Sequence, residues 1–95
     1  MAEDMAGAVI VLPAVVNMGH ARAVLAQLLP AIAAAAQPRI DASALQTLDS
    51  AAIAMLLECR RQAAAAGKTL TIVGAPPKLG ELARLYGVEE LLALG

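Results

Sequence analysis

A single tyrosine, Tyr86, is the only aromatic side chain in the 95 residues, which contain no tryptophan or phenylalanine. Proteins that read single-stranded nucleic acid stack bases on rings that this chain lacks. An excess of one charge is missing as well. Seven Lys and Arg stand against eight Asp and Glu, giving a net charge of −1, with no run of either sign longer than a pair such as Arg60-Arg61. That balance leaves no electrostatic footprint for nucleic acid or an anionic membrane. One cysteine, Cys59, excludes an internal disulfide, and one histidine, His20, leaves too few ligands for a metal cluster. No spacing supports a Cys59–His20 nucleophilic pair. The longest apolar stretch, residues 23–36, is interrupted by Gln27 and Pro30 and is too short and alanine-rich to span a bilayer. Residues 1–7 carry Glu3 and Asp4 without Lys or Arg, unlike a secretory signal. The expected location is the cytoplasm, with residues 1–7 a disordered N-terminal tail and residues 8–95 one domain.

What remains is apolar but small. Hydrophobic residues make up 60% of the chain, and 24 residues are alanine. A core must come from fifteen leucines and twelve valines and isoleucines packed closely against alanine. Residues 8–12 (AVIVL) form a continuous apolar, β-branched run stopped by Pro13, which predicts a buried strand that Val15 and Val16 extend. Asn17 stands at an N-cap position, and Leu25, Leu28, Leu29 and Ile32 follow at helical spacing, with Pro30 on the opposite side bending the helix without breaking it. Pro38 ends that helix, and residues 39–43 alternate as a strand.

Ser50 opens a regular helix that runs to Gly67. Successive turns of 100° place Ile53, Leu56, Leu57 and Ala64 inward, with Ala63 and the stem of Arg60 at the margin. Ala51, Ala54, Met55, Glu58 and Gln62 point outward. Residues 69–73 (TLTIV) predict a strand. Pro76-Pro77 then open a helix on which Leu79, Leu82 and Tyr86 share a face and Glu81 can pair with Arg84. Gly87 ends it, and Glu89 and Glu90 begin a last short helix at residues 88–94. Strands alternating with helices predict an α/β fold: a small, mainly parallel sheet with helices packed on it.

Few residues suggest chemistry. Asp41 and Asp49 are the only aspartates outside the tail; Asp49 can serve a helix N-terminus and Asp41 the adjoining turn, and no nucleophile or oxyanion device accompanies them. The segment from Gly74 to Lys78 lacks the glycines and the Lys-Ser/Thr pair of a phosphate loop. No catalytic residue, cofactor or metal is expected.

From Asp41 the chain reads DASALQTLDSAAIAMLL: a strand ending in Asp-x-Ser, a short loop, then Asp49-Ser50 opening a helix. This resembles the STAS domain family, whose members include anti-sigma factor antagonists, the cytosolic tails of sulfate transporters, and a subunit of a phospholipid-transport ABC complex. The C-terminal half, with GKTLTIVG followed by LARLYGVEELL, looks like the MlaB branch, which serves that transporter. Two departures stand out. Ala52 occupies the place where the antagonists usually carry glycine, and residues 1–7 scarcely supply the family's first strand. Either the sheet has one strand fewer or a partner covers that edge, a homodimer included.

The resemblance implies a non-catalytic, protein-binding role. In the MlaB-like reading the partner is the transporter's ATPase subunit, met by Asp49, Ser50, Ala51, Ala54, Met55 and Glu58 with Leu82 and Tyr86 alongside. In the antagonist reading the partners are an anti-sigma factor and a serine kinase that phosphorylates Ser50, a switch that the neighbouring Asp49 charge would oppose. The bland alternatives stand beside both. Ser50 can cap its helix, Met55 can be an isolated apolar surface residue, and Tyr86 can be core or rim.

Overall fold

The structure, a computed structural model, describes residues 9–94. The expected tail at residues 1–7, and with it the question of a first strand, lies outside the described residues. The elements run β1 (Val9–Val11), β2 (Val15–Val16), α1 (Ala21–Ala34), β3 (Arg39–Asp41), β4 (Thr47–Leu48), α2 (Ser50–Ala65), β5 (Thr71–Val73), α3 (Pro77–Leu85) and α4 (Glu89–Leu92). All strand pairs are parallel. One sheet has the order β1-β3-β5, and a second pairs β2 with β4. The α/β architecture with helices packed on a parallel sheet is as the alternation predicts.

Register explains the layering. Ile10, Ile40 and Ile72 stand side by side across the three strands and point into the core, where Ile40 and Ile72 are fully buried. The alternate rows, Val9-Arg39-Thr71 and Val11-Asp41-Val73, face away from it. The sheet therefore has its helices on one face. The buried strand expected at residues 8–12 is corrected here: β1 has one sheet neighbour among the described residues, and Val9 and Val11 are 51% and 62% exposed. An apolar run alone does not tell an edge strand from a central one.

Pro13, which has no N–H to donate to a ladder, separates β1 from β2. Beyond it the Ala14 carbonyl accepts from the N–H groups of both Gln46 and Thr47, aligning β2 with β4. In α1 the buried stripe is Val24, Leu28, Ile32 and then Ala35, with Leu25 and Leu29 half-buried at its margin. Asn17 begins a turn ahead of that helix, so α1 has 14 residues from Ala21. Pro30 lies within it on the exposed side, and the helix continues past it. Lys68 Nζ donates to the carbonyls of Ile32 (3.1 Å) and Ala33, so a cation meets the negative end of α1.

Helix α2 is the centre of the helical layer, packing against α1 on one flank and against α3 and α4 on the other. Arg60, half-buried on α2, donates through Nη1 to the carbonyls of Leu70 (2.7 Å) and Leu92 (3.3 Å), joining the approach to β5 and the end of α4 to it. Leu94 makes an isolated parallel bridge with Ile72 beyond β5. Arg84 meets Glu89 at 3.4 Å rather than the expected Glu81, because the turn at Gly87 (φ 71°) folds α4 back beside α3.

Candidate functional site

The site expected around Ser50 is built by a carboxylate. Asp49 is the N-cap of α2: its backbone is extended, and its Oδ1 accepts the N–H of Ala51 at 2.8 Å. Its Oδ2 accepts the N–H of Met18 at 3.1 Å, drawing the segment before α1 onto the start of α2. This corrects the reading of Ser50 as the cap. Ser50 is the first helical residue, and it is exposed.

The preceding aspartate does similar work. Asp41 Oδ1 accepts the N–H of Ser43 at 2.9 Å, and hydrogen bonding from Ser43, side chain and backbone, holds its pKa below the usual carboxylate range. Gly74 closes on the same corner with φ 70°; a Cβ there would lie 3.0 Å from Ser43 Cβ and 3.1 Å from Asp41 Oδ1. The ends of β3 and β5 are thus locked together beside the start of α2.

Between the first turns of α1 and α2 runs a groove of about 310 Å³. Met18, Ala21, Arg22 and Leu25 line one wall, and Ala51, Ala54, Met55 and Glu58 line the other. Ala51 is half-buried and Ala54 exposed, and both are small, so the groove is shallow along α2. Met55 requires a correction: it is 3% exposed and belongs to the core cluster, forming the bottom of the groove instead of projecting from the helix. Ala52 and Cys59 are buried too, whereas Ala64, expected inward, is exposed. The reason is that α2 has helices on both flanks as well as a sheet beneath it, which widens its buried face beyond one leucine stripe.

Glu58, half-buried, is already paired. It accepts from Arg61 Nε (2.9 Å) and Nη2 and from Gln62 Nε2 (2.9 Å), and these bonds pull its pKa down to about 2. Leu82 is half-buried on α3 and Tyr86, 53% exposed, is that helix's C-cap; neither lines this groove. In a parallel βα arrangement the helices start at the C-terminal ends of the strands, so Tyr86, finishing α3, sits at the opposite end from Ser50. The structure thus gathers Asp49, Ser50, Ala51, Ala54, Met55 and Glu58, and leaves Leu82 and Tyr86 apart. Sequence reasoning missed the α1 wall. Arg22 and Leu25, at i and i+3, share a face of α1, but Met18 lies in the turn before that helix and is brought to the wall by Asp49.

The chemistry-bearing residues are separate. Cys59 is buried, and burial, with the Glu58 charge adding to it, pushes its pKa up to about 11. His20 is exposed, its Nδ1 2.6 Å from Asn17 Oδ1. Among the described residues there is no group of three or more His, Cys, Asp or Glu placed to hold a metal, and no helix long and apolar enough to cross a membrane.

No curated protein matches. Among solved structures the chain superposes with a TM-score of 0.74 on an anti-sigma-factor antagonist (STAS) domain protein from Planctomyces limnophilus. Identity is 17%, with 87% of this chain and 76% of that one covered, which speaks for the fold. The family model described as "Mlab, STAS domain" matches residues 1–93. A match over nearly the whole chain, on a fold with the Asp-x-Ser strand end and the Asp-Ser helix start in the expected places, shows that the chain belongs to the MlaB-type STAS domain family.

Proposed function

We propose that this STAS domain is a non-catalytic binding module that docks on the ATPase subunit of a phospholipid ABC transporter maintaining outer-membrane lipid asymmetry. It would work at the cytoplasmic face of the inner membrane through that partner. The observation that carries the reading is the start of α2. An exposed Ser50 and the small residues Ala51 and Ala54 border a shallow groove with an apolar bottom at Met55. Low relief there lets a partner helix or loop approach closely, and Met55 and Leu25 offer apolar contact. The resemblance to MlaB supplies the kind of partner.

The test is capture of the cognate ATPase by the wild type and by Ser50→Arg and Ala54→Arg, each shown by circular dichroism to be folded. Both arginines should abolish capture by filling the groove's edge. Undiminished capture by both variants would overturn the assignment. Met55→Glu is unsuitable, because it would place a charge in the core.

The antagonist reading keeps one observation in its favour. Asp49 caps the helix, so capping does not occupy the exposed Ser50 hydroxyl. Incubation with the cognate serine kinase and ATP should then add one phosphate, absent in Ser50→Ala. Asp49 beside it would raise the electrostatic cost of that product.

A further inference from the structure

At the other end of α2, a groove of about 430 Å³ opens between the last turns of that helix, the approach to β5, and α4; Leu57, Arg60, Arg61, Lys68, Leu70 and Leu91 are among its lining residues. Its floor is apolar, with Leu70 buried and Leu57 half-buried, and Leu91 stands at its side 62% exposed. Three basic residues are among those that line the groove. Arg61 has Glu58 as a counter-ion. Arg60 and Lys68 bond only to backbone carbonyls among the described residues: Arg60 to Leu70 and Leu92, and Lys68 to Ile32 and Ala33. Carbonyls fix both side chains, and because Lys68 Nζ sits on the last carbonyls of α1, whose negative end offsets part of its charge, Arg60 is the cation left for a ligand. Arg60 spends only Nη1 on those bonds, leaving Nε and Nη2 without a partner among the described residues.

We propose that this groove binds an acidic peptide segment of a partner protein that carries an apolar anchor residue. The anchor would lie on Leu57 and Leu70 against Leu91, and a flanking carboxylate would meet Arg60. Because Arg60 is already held, binding a carboxylate costs little further side-chain entropy. A concave apolar floor with basic residues in its lining receives a side chain, whereas attachment to a lipid surface uses apolar residues that protrude from a helical face. The groove lies toward the far end of α2 from Ser50, linked to the first groove through the Arg61–Glu58 pair.

The experiment is a titration of the full-length, nitrogen-15-labelled protein with an amidated peptide alternating aspartate pairs with leucine, followed by amide chemical shifts. Saturable shifts are expected at Leu57, Arg61, Lys68 and Leu91. A peptide with asparagine in place of aspartate should bind about tenfold more weakly, as should the surface variant Leu91→Asp. No saturable shift at about 1 mM peptide, an affinity too weak for recognition, would overturn the proposal. So would equal binding of the asparagine peptide. Binding to phosphatidylglycerol vesicles that Leu91→Asp abolishes and the peptide does not compete for would make the groove a lipid contact, and would overturn it as well.

Discussion

The carboxylate of Asp49 reaches back across the chain to the backbone N–H of Met18, 3.1 Å away, while its other oxygen caps α2. One side chain therefore sets both walls of the Ser50 groove. Asp49→Ala should lose the cap and the tether together, costing about 1–2 kcal/mol. For a domain of this size each kcal/mol is about 4–8 °C in Tm. Asp49→Asn keeps an acceptor and should lose less. Thermal denaturation followed by circular dichroism checks the order wild type, asparagine, alanine; an unchanged midpoint for alanine would refute it.

Glu58 gives stability a pH dependence. Its pKa in the folded chain, about 2, lies below its ordinary value of 4.5. A depressed carboxylate contributes stability that is fully present above the ordinary value and is lost as pH falls through about 2. Urea midpoints of wild type and Glu58→Gln should therefore differ at pH 6 and converge toward pH 2. A Glu58 carboxyl carbon that titrates by NMR near 4.5 would contradict this.

Cys59 should be inert. Buried on α2 with its pKa at about 11, it presents almost no thiolate at neutral pH. Labelling by a disulfide reagent should be slow in native buffer and complete in denaturant. Rapid native labelling would show that α2 opens, or that the thiol is accessible.

Two glycines separate strain from crowding. Gly67 adopts φ 75° with nothing within 4 Å of a Cβ, so Gly67→Ala should cost only the left-handed backbone, about 1–2 kcal/mol. Gly74 adopts φ 70° against Ser43 and Asp41, so Gly74→Ala should cost distinctly more. Equal chemical-denaturation midpoints for the two variants would mean that the corner between β3 and β5 yields freely.

Punctuation made much of the fold legible in the sequence. Pro13, Pro38, Pro77, Gly67 and Gly87 stand at the boundaries where the chain changes element, and Asp49-Ser50 marks the start of α2. Periodicity failed where tertiary surroundings decide. Strand β4 has two residues, Thr47 and Leu48, too few to show a period. Met55 and Ala52 lie off the leucine stripe of α2 and are buried because α1 covers that flank, which one helix's own pattern cannot reveal. Val9 and Val11 read as core, yet they sit on the outward rows of an edge strand. At the site, the positions along α2 were readable from the Asp-Ser start. The second wall required knowing that Asp49 holds Met18.

The bridge from Leu94 to Ile72 bears on self-association. A sheet with two bare borders can recruit strands on both sides and grow without limit, as filaments do. Here Leu94 bridges to Ile72 on the border beyond β5, leaving β1 as the border of the three-stranded sheet without a partner among the described residues. Among the described residues, backbone pairing with another copy is thereby steered to one side of this three-stranded sheet, which disfavours open-ended growth.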